Sequence, residues 1–177
     1  MTVLVGGVGQ LYQGDLDLGR RAVERLAGER LAPGVLVEDF HYGAVAVAQR
    51  LEDVKPRSLV LVGAAERGRA PGTVERHVVR GVERSASELQ ESVGHAVTGY
   101  VTIDLVVDVA FALGVLPTHT VIVDVEPVLR VPTDALSEAG ERLLEELLDL
   151  VREELRTLGD QASAPATRPR PDPPPAA

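Results

Sequence analysis

The sequence contains no cysteine and no tryptophan, and it has only two phenylalanines and three tyrosines among 177 residues. The absence of cysteine excludes disulfides, thiolate metal sites and a cysteine nucleophile. Proteins that stack nucleic-acid bases need exposed aromatic rings, and this composition does not favour such a surface. Thiol chemistry is therefore excluded, and base stacking is not expected.

Basic residues are also in short supply, since 18 Lys and Arg face 27 Asp and Glu and give a formal net charge of −9. Binding to nucleic acid or to an anionic membrane surface depends on surplus positive charge. The longest apolar stretch, Val97–Leu116, contains Asp104 and Asp108, and the first residues lack the basic and apolar regions of a secretory signal. We expect a cytoplasmic protein without nucleic-acid or membrane partners.

Length and composition predict one globular domain followed by a tail. With 45% hydrophobic residues, the chain can build a core, and we assign residues 1–159 to an α/β domain. Residues 160–177 are rich in proline and alanine, which favours a disordered tail with polyproline character over a partner-binding motif. The oligomeric state is not predicted.

Short β-branched runs alternate with segments of helical periodicity, which predicts an α/β layered fold with a mostly parallel sheet. Residues 73–79 are expected to form a half-exposed edge strand, and residues 80–94 a loop. The other predicted strands are 2–6, 34–40, 58–62 and 120–125, and the predicted helices are 18–26, 44–51, 97–113 and 137–158.

Functional residues of such folds follow the carboxyl ends of the strands. The loops to consider are therefore Gly7–Asp17, Asp39–Gly43, Gly63–Pro71 and Asp124–Pro132. The first of them resembles a dinucleotide-binding loop, but Tyr12 stands where the third glycine belongs and two carboxylates follow. Nucleotide binding is disfavoured for that reason.

Acidic and imidazole side chains in these loops allow two interpretations. Asp15 and Asp17 lie before a helix, where one is expected to cap it and the other to be solvated; alternatively they bind a hard cation. His41 and His95 are expected in loops, either unliganded or, together with carboxylates such as Glu38, as ligands of a divalent ion.

Several segments, taken in order, resemble the nickel–iron hydrogenase maturation endopeptidases. The first reads Val-Leu-Val-Gly-Gly-Val-Gly-Gln-Leu-Tyr-Gln-Gly-Asp over residues 3–15, followed by Leu18-Gly19. The similarity continues at residues 58–64, 70–73 and 112–117, and ends with Val-Ile-Val-Asp-Val-Glu-Pro at 121–127. It covers about residues 2–158.

The resemblance implies a three-layer sandwich, in which helices flank a five-stranded twisted sheet. It also implies an activity: removal of the C-terminal extension from a hydrogenase large-subunit precursor after nickel insertion. Nickel is then carried by the substrate and recognised by the peptidase, which has no cofactor of its own.

In this sequence the three nickel-binding positions of the family correspond to Leu16, Gly63 and either Gly99 or Tyr100. Leucine and glycine side chains cannot ligate nickel. One hypothesis is a divergent peptidase whose site is rebuilt from Asp15, Asp17 and His95, supported by Glu38 and His41. The alternative is a non-catalytic paralogue that binds the large subunit or a maturation partner. The sequence leaves open whether the chain is an enzyme.

Overall fold

A computed structural model describes residues 2–81, 85–96 and 101–163. Within these ranges the chain alternates strands and helices, as the sequence pattern predicts. The elements are β1 Val3–Val8, α1 Leu18–Ala27, β2 Val35–Asp39, α2 Ala44–Val54, β3 Ser58–Ala64, β4 Val74–Val78, α3 Ala86–Ala96, α4 Ile103–Ala112, β5 His119–Val125 and α5 Glu138–Ser163. A single turn of 3-10 helix, Gly14–Asp17, precedes α1.

The five strands of the described residues form one sheet in the order β2-β1-β3-β5-β4. Strands β2, β1, β3 and β5 are parallel to one another. Strand β4 pairs with β5 in the antiparallel direction and forms one edge of the sheet. The mostly parallel α/β sandwich and the antiparallel edge strand are therefore confirmed.

Alternate strand residues face two separate apolar layers, which explains the continuous hydrophobic runs of the central strands. On one face, Val60 and Val62 of β3 pack with α1 and α5. On the other face, Leu59 and Leu61 pack with α2 and α4. The sheet is therefore covered by helices on both sides, which leaves its edges and the connecting loops as the accessible places for a site.

Glycines let the start of α1 lie directly on the sheet. A Cβ on Gly19 would lie 2.1 Å from the carbonyl oxygen of Val8 and 2.5 Å from that of Val62. These distances are well below van der Waals contact, so only glycine fits without a shift of the backbone. Gly19 thus allows close packing of the helix on the sheet.

Helix α3 overturns the prediction of a loop over residues 80–94. The Ser85 hydroxyl accepts a hydrogen bond from the Glu88 backbone N–H at 3.3 Å, and the Glu88 carboxylate accepts one from the Ser85 N–H at 2.7 Å. This reciprocal pair is a capping box, and the sequence Ser-x-x-Glu was its visible signal. The prediction of a loop was wrong because it relied on the polar composition of this segment, which forms a short helix.

Two other helix boundaries differ from the predictions. Helix α4 begins at Ile103, where the Thr102 hydroxyl accepts from the Leu105 N–H at 3.1 Å; residues 97–100, predicted to be helical, lie outside the described residues. Helix α5 continues through Gly159 to Ser163, because a glycine ends a helix only where the backbone turns left-handed. The tail from residue 164 onward lies outside the described residues. None of the helices in the described part of the chain is long and apolar enough to span a bilayer.

Candidate functional site

The carboxyl ends of the four mutually parallel strands lie together at one edge of the sheet. Register places Gly7 beside Asp39, Val8 beside Gly63, and Gly63 beside Asp124. The four loops that the sequence identified therefore start from adjacent positions. This edge, called the carboxyl edge below, is the candidate functional site.

Asp15 is completely buried in the 3-10 turn, and its carboxylate is fully used within the protein. Its Oδ2 accepts hydrogen bonds from the Leu129 N–H and the Ser137 hydroxyl, and its Oδ1 accepts one from the Ser137 N–H, all at 2.8 Å. These bonds hold the loop after β5 and the beginning of α5 against the first loop. The geometry therefore supports a structural role for Asp15.

Asp17 lies at the N-cap position of α1, but its side chain does not cap the helix. Its carboxylate instead accepts hydrogen bonds from the Arg20 Nε at 2.9 and 3.0 Å, and the Arg21 Nε lies 3.5 Å away. The residue is 3% exposed. The expectation of a capping or solvated aspartate is thus wrong, because an ion pair one turn into the helix takes the carboxylate.

Glu38 and His41, predicted as supporting residues, each have a partner of their own. The Glu38 carboxylate accepts from the Arg50 Nε at 3.0 Å and from its terminal nitrogen at 2.6 Å. The His41 Nδ1 lies 2.9 Å from a carboxylate oxygen of Asp39, and the side chain is about half exposed. These are two separate pairs at the end of β2.

His95 was expected in a loop, but its backbone belongs to α3, one residue before that helix ends. Gly99 and Tyr100 lie outside the described residues. No group of three or more His, Asp or Glu side chains among the residues that the structure describes could hold a metal ion. The metal site of Asp15, Asp17 and His95 stays a prediction.

The family resemblance predicts nickel-binding side chains at two described positions, Leu16 and Gly63, and neither position offers one. Leu16 is buried and aliphatic. At Gly63, a Cβ would lie 2.4 Å from the Val8 carbonyl oxygen and 3.3 Å from the Ile103 side chain, so the backbone leaves no room for an acidic residue there. Neither side chain can therefore donate to a metal, and the backbone leaves no space for a donor at Gly63.

The most heavily charged part of the carboxyl edge is a cluster that the sequence analysis did not single out. Asp124 and Glu126, at the end of β5, are 0% and 2% exposed. Arg67 and Arg69 from the loop after β3 both bind the Asp124 carboxylate, the second at 2.7 Å. Arg67 also reaches Asp104 at the start of α4, at 3.1 Å.

Backbone groups complete the cluster around Glu126. Burial raises the pKa of its carboxyl, but the Arg67 and Arg69 backbone N–H groups and the Arg69 charge outweigh burial, so the pKa is lowered. Burial lowers the pKa of Arg67, but the hydrogen bonds and charges of Asp124 and Asp104 together outweigh burial, so this pKa is raised. Both groups are held in their charged forms, and the cluster fastens the loop after β3 to the end of β5.

Apolar side chains occupy the solvent side of the same edge. Leu11, Tyr12, Val128 and Val131 are between 42% and 67% exposed, and we call these four residues the rim patch. Its two loops are joined by hydrogen bonds of 3.0 Å from the Thr133 N–H to the Tyr12 carbonyl and from the Gly14 N–H to the Thr133 carbonyl. The backbone of Tyr12 has a positive φ of 62°, which is uncommon for a residue other than glycine.

Comparison with known proteins gives matches at the level of structure. No protein-family model and no curated protein matches the sequence. A hydrogenase 2 maturation peptidase from a Thaumarchaeota archaeon is 25% identical with a TM-score of 0.61, over 88% of this chain and 98% of that one. The chain has the hydrogenase maturation peptidase fold.

Two further solved structures agree with that result. The hydrogenase maturating endopeptidase HybD of E. coli is 24% identical, with a TM-score of 0.66 over 90% of this chain and 94% of that one. The [NiFe] hydrogenase maturation protease HycI of Thermococcus kodakarensis is 19% identical, with a TM-score of 0.61 over 88% and 92%. The family resemblance predicted from several segments over about residues 2–158 is confirmed at the level of the fold.

Proposed function

We propose that this chain is a hydrogenase maturation protease-like protein that binds the C-terminal region of a nickel–iron hydrogenase large-subunit precursor and does not cleave it. The observation that carries the proposal is the pair of lost ligand positions. Leu16 lies in the core and Gly63 is closed by the Val8 carbonyl, while the fold around them is kept.

The acids near these positions support binding without metal-dependent cleavage. Asp15 has three internal donors, and Asp17 has the Arg20 guanidinium. Asp124 is held by Arg67 and Arg69. Freeing any of these carboxylates for a metal would take a hydrogen-bond acceptor away from buried N–H groups or from partly buried guanidinium groups, and each hydrogen bond to a charged group that is lost costs about 1.5–3 kcal/mol in typical proteins.

The rim patch supplies the surface for the partner. Exposed apolar side chains that are grouped on neighbouring loops are typical of protein–protein contact sites. The patch lies on the loops after β1 and β5, at the carboxyl edge, where enzymes of this layered architecture meet their substrates. Tyrosine is among the residues that contribute most to binding energy at interfaces.

The test mixes the protein with the nickel-loaded large-subunit precursor of a hydrogenase encoded in the same genome. Co-elution on size exclusion measures binding, and intact mass measures cleavage. We expect a complex with a precursor of unchanged mass. Loss of the extension, abolished by Asp17→Ala and His95→Ala, would contradict the proposal and support the rebuilt peptidase site.

Two double variants test whether the rim patch is the surface that contacts the precursor. Tyr12→Asn combined with Val131→Ser should weaken the complex at least about tenfold, since removing one interface tyrosine often costs more than 1 kcal/mol. Asparagine tolerates the positive φ of position 12 better than most residues. The control, Phe111→Ser with Leu113→Ser, removes two apolar side chains at the end of α4 that are 41% and 52% exposed, and it should leave binding unchanged. Equal weakening by both pairs would contradict the assignment of the rim patch.

A further inference from the structure

Strand β4 forms one edge of the sheet, and its register with β5 shows which of its backbone groups are used. In the part of the chain that the structure describes, β5 is the only strand that pairs with β4. The Glu126 N–H donates to the Thr73 carbonyl at 2.9 Å, just before β4 begins. The Val79 N–H donates to the Thr120 carbonyl at 2.8 Å, just after β4 ends.

These two bonds determine the direction of every backbone group between them. In an antiparallel pair, residues that bond to the neighbouring strand alternate with residues whose N–H and carbonyl point away from it. The residues of β4 that point away from β5 are therefore Val74, Arg76 and Val78, which we call the outward residues. No residue that the structure describes gives their backbone groups a hydrogen bond from outside the sheet.

A row of outward N–H and carbonyl groups is complementary to one kind of partner, an extended polypeptide that adds a strand. The side chains of Val74 and Val78 are partly buried against the apolar layer under α5. Between them, Arg76 is already paired with the buried carboxylate of Glu154 at 2.6 Å. An added strand with alternate apolar side chains would therefore extend the apolar layer without having to supply a charge.

The open edge of β4 is continuous with the rim patch. Strand β4 begins at the carboxyl edge, where Val74 pairs with Val125 at the end of β5. In the turn before β4, a Cβ on Gly72 would lie 3.8 Å from the side chain of Val128, which belongs to the rim patch. A polypeptide that contacts the rim patch can therefore continue directly along β4.

The charges of β4 disfavour a second copy of this chain as the added strand. The symmetric antiparallel register that uses all three outward residues places Arg76 directly opposite Arg76 of the second copy. A shift of that register toward the beginning of the strand places Glu75 opposite Glu75. Like charges directly opposite each other destabilise a strand pair, so the edge is better suited to a different polypeptide.

We infer that an extended segment from the C-terminal region of the large-subunit precursor pairs with the open edge of β4 and forms a sixth strand of the sheet. This inference rests on the proposed function, from which it takes the partner. A segment near a chain terminus can extend along an edge, because it is less often tied into the fold of its own protein. The neighbouring part of the precursor contacts the rim patch.

A proline at an outward position tests this pairing. Val78→Pro removes one outward N–H, and proline is tolerated in edge strands where the N–H does not bond to the sheet. We expect binding of the nickel-loaded precursor to weaken by about tenfold, since a precursor carbonyl loses its donor. Val78→Ala shortens the same side chain but keeps the N–H, and it should weaken binding much less.

Val37→Pro is the matched control at the other edge of the sheet. Val37 lies in β2 and is partly buried against the same apolar layer as Val78. Its N–H also points away from the sheet, because the Phe40 N–H donates to the Gly7 carbonyl and alternate residues of β2 face β1. This variant should leave precursor binding unchanged. Urea denaturation checks that each variant folds, and Val74→Pro is the second outward variant if Val78→Pro does not.

Hydrogen exchange followed by mass spectrometry is an independent measurement on the wild-type chain. The amides of the outward residues should exchange more slowly in the complex than in the free protein, since each gains a hydrogen bond. A complex without this protection, or equal precursor binding by wild type and the folded outward variants, would overturn this inference and leave the proposed function standing. A precursor that does not bind the wild-type chain would overturn both. A dimer of the free protein that Val78→Pro dissociates would identify a second copy as the added strand and would also overturn the inference.

Discussion

The role of Asp15 can be tested by replacing it with alanine. In the folded protein this carboxylate is completely buried and accepts three hydrogen bonds from Leu129 and Ser137. The Ser137 hydroxyl in turn accepts from the Gly140 N–H at 2.8 Å, so the network extends into the first turn of α5. Removing the carboxylate leaves three donors without their acceptor.

The expected loss of stability follows from these contacts. A hydrogen bond to a charged group contributes about 1.5–3 kcal/mol. Since the three donors share one carboxylate and their effects do not add fully, we expect Asp15→Ala to lower the free energy of unfolding by at least about 3 kcal/mol. For a protein of this size, such a loss lowers the Tm by roughly 6–12 °C.

Urea denaturation followed by far-UV circular dichroism measures this difference. Asp15→Asn keeps the shape of the side chain but turns its N–H2 group toward one of the hydrogen-bond donors of Leu129 or Ser137. Most of the loss of stability should therefore remain. Asp53→Ala, at an exposed aspartate in α2, is the control and should stay within about 0.5 kcal/mol of wild type. Stability of Asp15→Ala equal to that of the control would refute the structural role and favour a free ligand.

Three further predictions concern the carboxyl edge. Gly63→Asp should destabilise the protein by about 1–3 kcal/mol and give no nickel binding by calorimetry, because its Cβ meets the Val8 carbonyl; nickel binding by this variant would contradict the closed site. Arg67→Ala should cost about 1.5–3 kcal/mol in urea denaturation, because it removes one of the two guanidinium partners of the buried Asp124 carboxylate and leaves Arg69 as the other. Asp104→Asn, at a half-exposed partner, should cost less than about 1 kcal/mol, and equal losses would contradict this account. The stability difference between wild type and Glu126→Gln should be largest at neutral pH. Because the folded-state pKa of Glu126 is lowered, that difference should shrink as the pH falls below the ordinary glutamate pKa of about 4.3, and a difference independent of pH would contradict the assignment.

The layered architecture could be predicted from the sequence because its signals are local. The apolar run at residues 58–62 identifies a strand covered on both faces, and the observed strand is Ser58–Ala64. The charged residues around Val74 identify an edge strand, and β4 occupies that place. The predicted loop at 80–94 failed because a capping box outweighs a polar composition when α3 has α4 to pack against.

The site was harder to predict, because the partners of its charged residues are distant in the sequence. Asp15 bonds to Ser137, more than a hundred residues away, and Arg67 pairs with Asp124 across the sheet edge. The sequence showed the acids but not which arginine or backbone N–H would neutralise each one. The sequence showed that Leu16 and Gly63 cannot ligate a metal, whereas the lack of space for a side chain at Gly63 required the structure.

The most direct test of the central claim is the intact mass of a nickel-loaded large-subunit precursor after incubation with this protein. A hydrogenase maturation peptidase that processes the same precursor serves as the positive control. The account predicts that the precursor keeps its full mass while it forms a complex with the protein. A decrease in mass equal to the C-terminal extension, with this chain as the only addition, would contradict it.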